Sequence, residues 1–331
     1  RGDGTFEEVT QVAGPGSHPG ATLGAVAADF NGDGWPDLYL ANDQMSNELW
    51  INGHDGTFSE EGLLGGAALS GDGQPQASMG VDAGDFDGDG DEDLFLSHLS
   101  RETNTLYLND GSAVFEDATA RAGLAAPSWE YTGFGTAWFD YDNDGRLDLL
   151  VVNGAVKLLE PQVRAGEVLP LRQPDQLYHN LGGGRFEAVE VAGTALSTAK
   201  VSRGAAFGDL DDDGDIDVVV VDNGSAARLL ENRVGAKSSW LGLRLVESHG
   251  RDALGAVVIL HRADGGSILR RVSTAGSYAS ARDPRLVFGL DDGSPPERIE
   301  VRWPDGTRET WPAPSVGRYT TLHEGTGEVM H

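Results

Sequence analysis

The chain has 331 residues, a formal net charge of −29 and no cysteine. This length is enough for about two domains, and a hydrophobic content of 39% is too high for a disordered acidic tail. The charge disfavours nucleic acid as a partner, the absence of cysteine excludes disulfides and thiolate chemistry, and no apolar run is long enough to span a membrane.

The negative charge is confined to the first part of the chain. Residues 236–331 contain 12 acidic and 12 basic side chains and are therefore neutral, so the whole excess lies in residues 1–235. A uniformly acidic surface would not divide in this way. We therefore predict two domains, 1–235 and 236–331. We expect the acidic residues of the first domain to have a specific role within that domain.

Four nine-residue segments of the first part share the pattern D-x-[DN]-x-D-G-x-x-D, whose positions we number 1 to 9. They are loop 1 (residues 29–37), loop 2 (85–93), loop 3 (140–148) and loop 4 (209–217). Their first residues lie 56, 55 and 69 positions apart. Self-similarity at such a period predicts a repeat architecture.

The residues around each loop predict four short strands per repeat. Small and apolar residues precede the loop, and a short aliphatic run follows it. A third segment ends at Asn52, Asn109, Asn180 or Asn232, and a fourth is headed by Phe6, Phe58, Phe115 or Phe186 after a turn. Short runs of this composition favour strands over helices. Four of them per repeat predict the blade of a β-propeller.

The oxygen-bearing side chains at positions 1, 3, 5 and 9 predict a Ca²⁺ site in each loop, or about four sites in all. Ca²⁺ prefers flexible sites rich in oxygen, and the backbone carbonyl at position 7 can supply a further ligand. Without a cation, so many carboxylates in nine residues would repel one another. The predicted ligands are Asp29, Asn31, Asp33, Trp35 and Asp37 in loop 1, Asp85, Asp87, Asp89, Asp91 and Asp93 in loop 2, Asp140, Asp142, Asp144, Arg146 and Asp148 in loop 3, and Asp209, Asp211, Asp213, Asp215 and Asp217 in loop 4.

An EF-hand is the main competing interpretation of these loops. It requires a bidentate glutamate at position 12 and a helix on each side. Position 12 is Leu40, Leu96, Val151 or Val220, and each lies in a strand-like run. The sequence therefore excludes the EF-hand in all four copies.

Residues 236–331 predict a small β-sandwich or barrel. Strand-like runs alternate with turns that contain Gly, Pro or Asp, and no helical period persists. The runs cover residues 241–246, 256–261, 268–272, 286–290, 299–303 and 319–323. No segment of this part has the pattern of the four loops, so we predict no metal site in it.

Both parts resemble known families. The repeated units, with their Asn and Phe segments, resemble FG-GAP/VCBS repeats, as in the integrin α-subunit head. The second part, which includes Trp303-Pro-Asp-Gly, resembles the ASPIC/UnbV domain. The combination is similar to the cartilage acidic protein family and its bacterial relatives, and it covers nearly the whole chain. The resemblance implies a seven-bladed Ca²⁺-binding propeller followed by a small β-rich domain, typically secreted or surface-exposed, and it implies no enzymatic activity.

Only four loop-bearing blades are visible, which leaves two arrangements open. The chain starts in a turn before Phe6 that matches the turn before Phe58, so it starts at a fourth strand, whereas the last unit has no fourth strand of its own. Either the chain is the latter part of a longer propeller with open sheet edges, or residues 6–10 complete the last blade and close a four-bladed ring.

The sequence predicts a non-enzymatic extracellular module for adhesion or interaction, secreted or at the cell surface, with the periplasm as a further possibility. Connections between second and third strands share the face opposite the metal loops, and together with Trp129 and Tyr131 they are the candidate surface for a protein or glycan ligand. A Ca²⁺-dependent lectin is the alternative. An enzyme would need a cleft, for which His98 and Asp222 are the nearest candidates.

Overall fold

The computed structural model describes residues 5–190, 193–291 and 296–330, so the turn formed by residues 1–4 lies outside the described chain. The fold is all-β, as predicted. Its α-helices are the short segments Thr10–Ala13 (α1), Ala125–Ser128 (α2) and Glu160–Arg164 (α3). Within the described residues, no helix has the length and apolar character needed to cross a membrane.

The first three repeats each form one four-stranded antiparallel sheet, in which strands that follow one another in sequence are neighbours. Blade 1 contains β1 (Thr22–Ala28), β2 (Asp37–Asn42), β3 (Glu48–Asn52) and β4 (Phe58–Glu60). Blade 2 contains β5 (Val81–Gly84), β6 (Asp93–Leu96), β7 (Thr105–Asn109) and β8 (Phe115–Asp117). Blade 3 contains β9 (Gly133–Phe139), β10 (Asp148–Asn153), β11 (Gln176–Gly182) and β12 (Arg185–Ala188). The strands predicted from the repeat are confirmed.

Blade 4 contains β13 (Ser202–Gly208), β14 (Asp217–Asp222) and β15 (Arg228–Leu230). Within the described residues, β15 pairs only with β14. Phe6 is fully exposed, and Thr10 begins α1 instead of a strand. The alternative in which residues 6–10 complete this blade and close a four-bladed ring is therefore wrong.

The apolar cores lie between consecutive blades. The first strands β1, β5, β9 and β13 contact one another in that order. One cluster joins blades 1 and 2, a second joins blades 2 and 3, and a third joins blades 3 and 4. Sheets that stack face to face in sequence order are the packing expected of propeller blades.

The C-terminal part is a two-sheet sandwich around one apolar core, in agreement with the predicted fold. Its strands are β16 (Trp240–Val246), β17 (Val257–Arg262), β18 (Ser267–Arg271), β19 (Ala281–Arg282), β20 (Leu286–Gly289), β21 (Pro296–Arg302), β22 (Arg308–Pro312), β23 (Tyr319–His323) and β24 (Glu328–Val329). One sheet has the order β20-β16-β23, and the other has the order β18-β17-β21-β22-β24.

The two parts are joined by a segment that runs along the first strands of the blades, which we call the axial segment (residues 273–283). Strand β19 of this segment pairs in parallel with β13 of blade 4. The hydroxyls of Ser277 and Ser280 accept hydrogen bonds from the N–H groups of Val81 (2.8 Å) and Ala205 (2.9 Å). The C-terminal part therefore adds a strand to the propeller sheet.

Candidate metal-binding loops

Each loop connects the first and second strands of its blade through a turn that needs two left-handed backbone positions. In loop 3 these are Asn143 at position 4 (φ 59°) and Gly145 at position 6 (φ 93°). The same two positions have positive φ in the other three loops, where Gly or Asp occupies position 4 and Gly occupies position 6. Gly, Asn and Asp tolerate this conformation better than other residues do, which explains the sequence pattern.

The carboxylate at position 1 holds the turn closed. In loop 3, Asp140 accepts hydrogen bonds from the N–H groups of positions 5 (3.0 Å) and 6 (2.8 Å). Asp29 and Asp209 accept the equivalent pairs in loops 1 and 4. In loop 2, Asp85 instead accepts the N–H of Gly88 (2.8 Å).

The carboxylate at position 9 connects the loop to the third strand of its own blade. Asp148 accepts the N–H of Asn180 with one oxygen (2.7 Å) and the N–H of position 2 with the other (3.2 Å). The same two bonds are made by Asp37, Asp93 and Asp217. Position 9 is therefore a structural residue as well as a predicted ligand.

Predicted ligands converge in the folded chain. Carboxylate oxygens from positions 1, 3 and 9 lie within 4.8 Å of one another in loops 2, 3 and 4. Loop 1 has Asn31 at position 3, so an amide oxygen replaces one carboxylate there. The three triads do not include position 5. The side chains at position 7 differ in exposure and in their contacts from loop to loop. Trp35 is half-exposed, Arg146 is ion-paired with Asp144, and Asp215 is fully buried.

Two histidines near the loops were not predicted as site residues. His179, on the third strand of blade 3, lies 3.5 Å from Asp142 and 3.2 Å from Asp148, and its Nδ1 or Nε2 lies within 4.8 Å of oxygens of Asp142 and Asp144. His54 contacts Asp33 of loop 1 at 2.9 Å. His179 directly precedes Asn180, whose N–H donates to position 9 of loop 3, and this neighbour relation is the signal in the sequence that could have indicated it.

Burial raises the pKa of several loop carboxyls, and the negative charge of neighbouring carboxylates adds to the effect. The pKa of Asp93 is raised to about 9 and that of Asp140 to about 8. For Asp37, Asp85 and Asp148 the pKa is raised to about 6. In addition, Oδ1 of Asp142 is buried and makes no hydrogen bond. The loops therefore stabilise bound positive charge, either protons or a cation.

These shifts predict the pH dependence of the metal-free chain. Because the folded-state pKa values of Asp93 and Asp140 exceed the ordinary value of an aspartate, 3.8, the folded state binds more protons than the unfolded state does. This stabilisation is complete below pH 4 and is lost as the pH rises through 8 and 9. We expect the melting temperature of EDTA-treated protein to fall between pH 6 and pH 9. A melting temperature that rises over this range would contradict the prediction.

In blades 2 to 4, the asparagine at or just after the third strand also connects its blade to the preceding one. Asn180 Nδ2 donates to the carbonyl of Phe86, at position 2 of loop 2 in the preceding blade (2.9 Å). Asn109 makes the equivalent bond to Phe30, and Asn232 makes it to Tyr141. One side chain thus fixes the spacing of two consecutive loops.

Replacing the asparagine between blades 2 and 3 should destabilise the chain more than replacing its counterpart in blade 1. Asn180→Ala leaves the buried carbonyls of Phe86 and Leu147 without this donor, at about 1–3 kcal/mol each. Within the described residues, the Asn52 side chain donates only to the carbonyl of Pro36, in an exposed setting, so Asn52→Ala is the matched control. Denaturant unfolding measures both, and equal losses would contradict the bridging role.

The C-terminal part packs directly on loops 3 and 4. Its donors reach backbone and side-chain oxygens of both loops: Ser238 Oγ to the Asp142 carbonyl (3.0 Å), Arg270 Nη2 to the Gly145 carbonyl (3.0 Å), Arg285 Nη2 to the Asp209 carbonyl (2.6 Å) and the Tyr319 hydroxyl to Asp209 Oδ2 (2.8 Å). Arg271 forms an ion pair with Glu92 at position 8 of loop 2 (2.9 Å). Within the described residues, no hydrogen bond or ion pair joins loop 1 to the C-terminal part.

The face opposite the loops is less accessible than the sequence suggests. His98 is 1% exposed and its Nε2 lies 3.0 Å from Thr105 Oγ1, so it is a core residue. Asp222 forms an ion pair with Arg228 at 3.1 Å. Trp129, by contrast, is 46% exposed. Of the residues predicted for this face, Trp129 is the one with a large exposed aromatic surface.

Comparison with known proteins identifies relatives of both parts. The chain matches the family model of the FG-GAP-like repeat over residues 1–40, 29–96, 85–151 and 168–220, and that of ASPIC and UnbV over residues 246–329. Cartilage acidic protein 1 of Homo sapiens is 29% identical over 278 residues, which cover 82% of this chain and 39% of that protein. The Mus musculus protein is 28% identical over 303 residues, which cover 89% of this chain and 42% of that protein. The chain spans about two fifths of the length of these relatives.

Similarity to solved structures is weak. An Agrocybe aegerita lectin, described as recognising non-reducing terminal N-acetylglucosamine, is 19% identical over 64% of this chain and 54% of its own, with a TM-score of 0.35. A TM-score this low supports no conclusion about the fold or the ligand of this chain.

Proposed function

Because the chain belongs to the FG-GAP-like repeat proteins and also carries an ASPIC and UnbV domain, we propose that it is a non-enzymatic interaction module that acts outside the cell and is stabilised by Ca²⁺. The observation that carries the metal assignment is the convergence of three carboxylates in loops 2, 3 and 4. The extracellular setting rests on the relatives named cartilage acidic protein 1.

The donor set of the loops suits Ca²⁺ better than other common cations. All the predicted side-chain ligands are oxygens, which favours hard cations over zinc or copper. The buried, unpartnered Oδ1 of Asp142 is an acceptor that a cation would satisfy. Ca²⁺ accepts irregular sites with six to eight ligands, whereas Mg²⁺ demands near-octahedral geometry and keeps several waters. Asp and Asn at positions 1, 3 and 9 would hold the ion, which would supply the positive charge that compensates the carboxylates.

Terbium luminescence tests metal binding at loop 1 specifically. Tb³⁺ prefers the same oxygen ligands as Ca²⁺ and emits when a nearby tryptophan is excited. Trp35 occupies position 7 of this loop. We expect emission on tryptophan excitation that Ca²⁺ displaces. The share from loop 1 should be lost in Trp35→Phe, which keeps the backbone carbonyl, and in Asp37→Asn, whereas Trp240, which packs on Gly214 of loop 4, should still sensitise an ion in that loop. The metal assignment fails if the wild type gives no emission or if both variants emit like the wild type.

We place the interaction surface on the face opposite the loops, where it would take a protein or glycan ligand. Trp129 supports this, because its exposed ring can stack on a ligand and its carbonyl is fixed by a hydrogen bond from the N–H of Arg101 (2.7 Å). We expect the triple variant Arg101→Ala, Trp129→Ala, Tyr131→Ala to lose ligands captured on protein and glycan arrays. Unchanged capture by a folded triple variant would contradict this placement.

A further inference from the structure

The residue that directly precedes the asparagine at or just after each third strand differs from blade to blade. In chain order it is Ile51, Leu108, His179 and Glu231. Blade 3 therefore has a ring nitrogen at this place, where the other blades have an aliphatic side chain or a carboxylate. Only 24% of the His179 side chain is exposed, and its ring lies edge-on to Tyr141 of loop 3, with centroids 5.8 Å apart. The fold thus holds a metal-binding side chain against this loop.

The imidazole of His179 faces carboxylates of loop 3. Its Nδ1 lies 3.2 Å from Asp148 Oδ1 and 3.5 Å from Asp142 Oδ2. One ring nitrogen, one oxygen of Asp142 and one oxygen of Asp144 all lie within 4.8 Å of one another. Zinc bonds to nitrogen and oxygen of about 2.0–2.2 Å place two ligands of one ion at most about 4.4 Å apart. Small side-chain rotations therefore bring these three atoms onto one ion.

This histidine-containing set is distinct from the triad of positions 1, 3 and 9 in the same loop, although Asp142 at position 3 belongs to both. Asp142 Oδ1 is buried and makes no hydrogen bond, whereas Oδ2 is the oxygen that lies 3.5 Å from His179. The set also uses Asp144 at position 5, which the three triads leave out. Loop 3 therefore presents two overlapping donor sets, one of oxygens alone and one that includes a nitrogen.

The two donor sets favour different ions. An imidazole nitrogen suits zinc and similar divalent metals, whereas Ca²⁺ binds through oxygen. The two carboxylates of the histidine-containing set balance the charge of one divalent ion. Three protein ligands leave a fourth tetrahedral position for water, as in an open zinc site.

Arg146 competes with a metal ion for one ligand of the histidine-containing set. Its guanidinium forms an ion pair with Asp144, and its Nε donates to the carbonyl of Asn180 (2.8 Å). Because 41% of the Arg146 side chain is exposed, the guanidinium has room to move into solvent. Metal binding must break this ion pair, so the arginine lowers the affinity of the site.

We propose that Asp142, Asp144 and His179 bind zinc or a similar divalent metal ion, in competition with Ca²⁺. The competition follows from the shared Asp142 and from the repulsion between two divalent ions held close together. It rests on the proposed binding of Ca²⁺ to loop 3, whereas the histidine-containing site itself does not. Within the described part of the chain, loop 3 is the one loop with such a set.

Calorimetric titration with zinc chloride, at fixed Ca²⁺ concentrations that keep each chain folded, tests the site. We expect one zinc ion to bind the wild type more tightly than any other, and we expect His179→Gln to lower this affinity at least tenfold. His54→Gln is the matched control and should stay within twofold of the wild type. His54 also contacts a loop carboxylate, Asp33 at 2.9 Å, but within the described residues it belongs to no three-residue set. A wild type that does not bind zinc overturns the proposal, as does equal affinity in His179→Gln.

Two further titrations separate a ligand role from a loss of fold. Arg146→Ala, which frees Asp144 and keeps the backbone carbonyl of position 7, should bind zinc at least threefold more tightly than the wild type. Unchanged or weaker binding by this variant overturns the role of Asp144. Raising the Ca²⁺ concentration tenfold should weaken zinc binding to the wild type. Zinc binding that needs His179 but does not respond to Ca²⁺ supports the zinc site and rejects the proposed Ca²⁺ binding at loop 3.

Anomalous scattering at the zinc edge, from a crystal of the full chain soaked in zinc chloride, locates the ion. We expect a peak within bonding distance of a His179 ring nitrogen and of oxygens of Asp142 and Asp144. An ordered His179 without such a peak overturns the proposal.

Discussion

Removing Ca²⁺ with EDTA should lower the free energy of unfolding by roughly 10 kcal/mol. An ion that binds only the folded state stabilises it by about 2.7 kcal/mol when its free concentration is 100 times Kd, and four loops contribute together. Without ions, the buried carboxylates lose their compensating charge, and the protons they bind supply only part of it. Denaturant unfolding with Ca²⁺ and with EDTA measures the difference.

The same experiment can distinguish Ca²⁺ from Mg²⁺ and can measure the contribution of a single loop. Ca²⁺ should restore the stability more fully than Mg²⁺, because the loops offer many flexible oxygen ligands. Asp37→Asn, which alters loop 1 alone, should reduce the Ca²⁺-dependent free energy of unfolding by about the contribution of one site. An unfolding curve that is the same in Ca²⁺ and in EDTA would reject the stabilising role of the loops.

Loss of the predicted metal ligand Asp209 should loosen the C-terminal part, whereas loss of its counterpart Asp29 should not. Both occupy position 1 of a loop, but only Asp209 accepts the Tyr319 hydroxyl and lies beside Arg285. We expect Asp209→Ala to raise hydrogen exchange of the β19 amides at least tenfold, which corresponds to about 1.4 kcal/mol. Asp29→Ala should leave the exchange of β19 within twofold of the wild type.

Tyr319→Phe separates docking from metal binding in this comparison. It removes the hydroxyl that bonds to Asp209 but leaves every predicted ligand in place. We expect an intermediate rise in the exchange of β19 with an unchanged number of bound ions. Equal exchange in Asp29→Ala and Asp209→Ala would show that the C-terminal part docks independently of loop 4.

The repeat made the blades and the convergence of the ligands predictable. Because position 1 directly follows one strand and position 9 begins the next, an antiparallel pairing such as Ala28 with Asp37 brings the ends of the loop together. The left-handed positions follow from Gly, Asn and Asp in the pattern. These features are local, so nine residues and their flanks contain the information.

Contacts between repeats were not predictable from the same pattern. The bond from Asn180 to Phe86 spans 94 positions and depends on how two blades stack. Pairing of β19 with β13 involves two residues on each strand, and no composition signal marks so short a strand. His98 is buried in the folded chain, so a histidine that seemed available for catalysis belongs to the core.

A crystal grown in Ca²⁺ and measured near an absorption edge where calcium scatters anomalously tests the central claim most directly. The account predicts four anomalous peaks, one in each loop, each surrounded by oxygens of positions 1, 3 and 9. Well-ordered loops without anomalous peaks at saturating Ca²⁺ would contradict it.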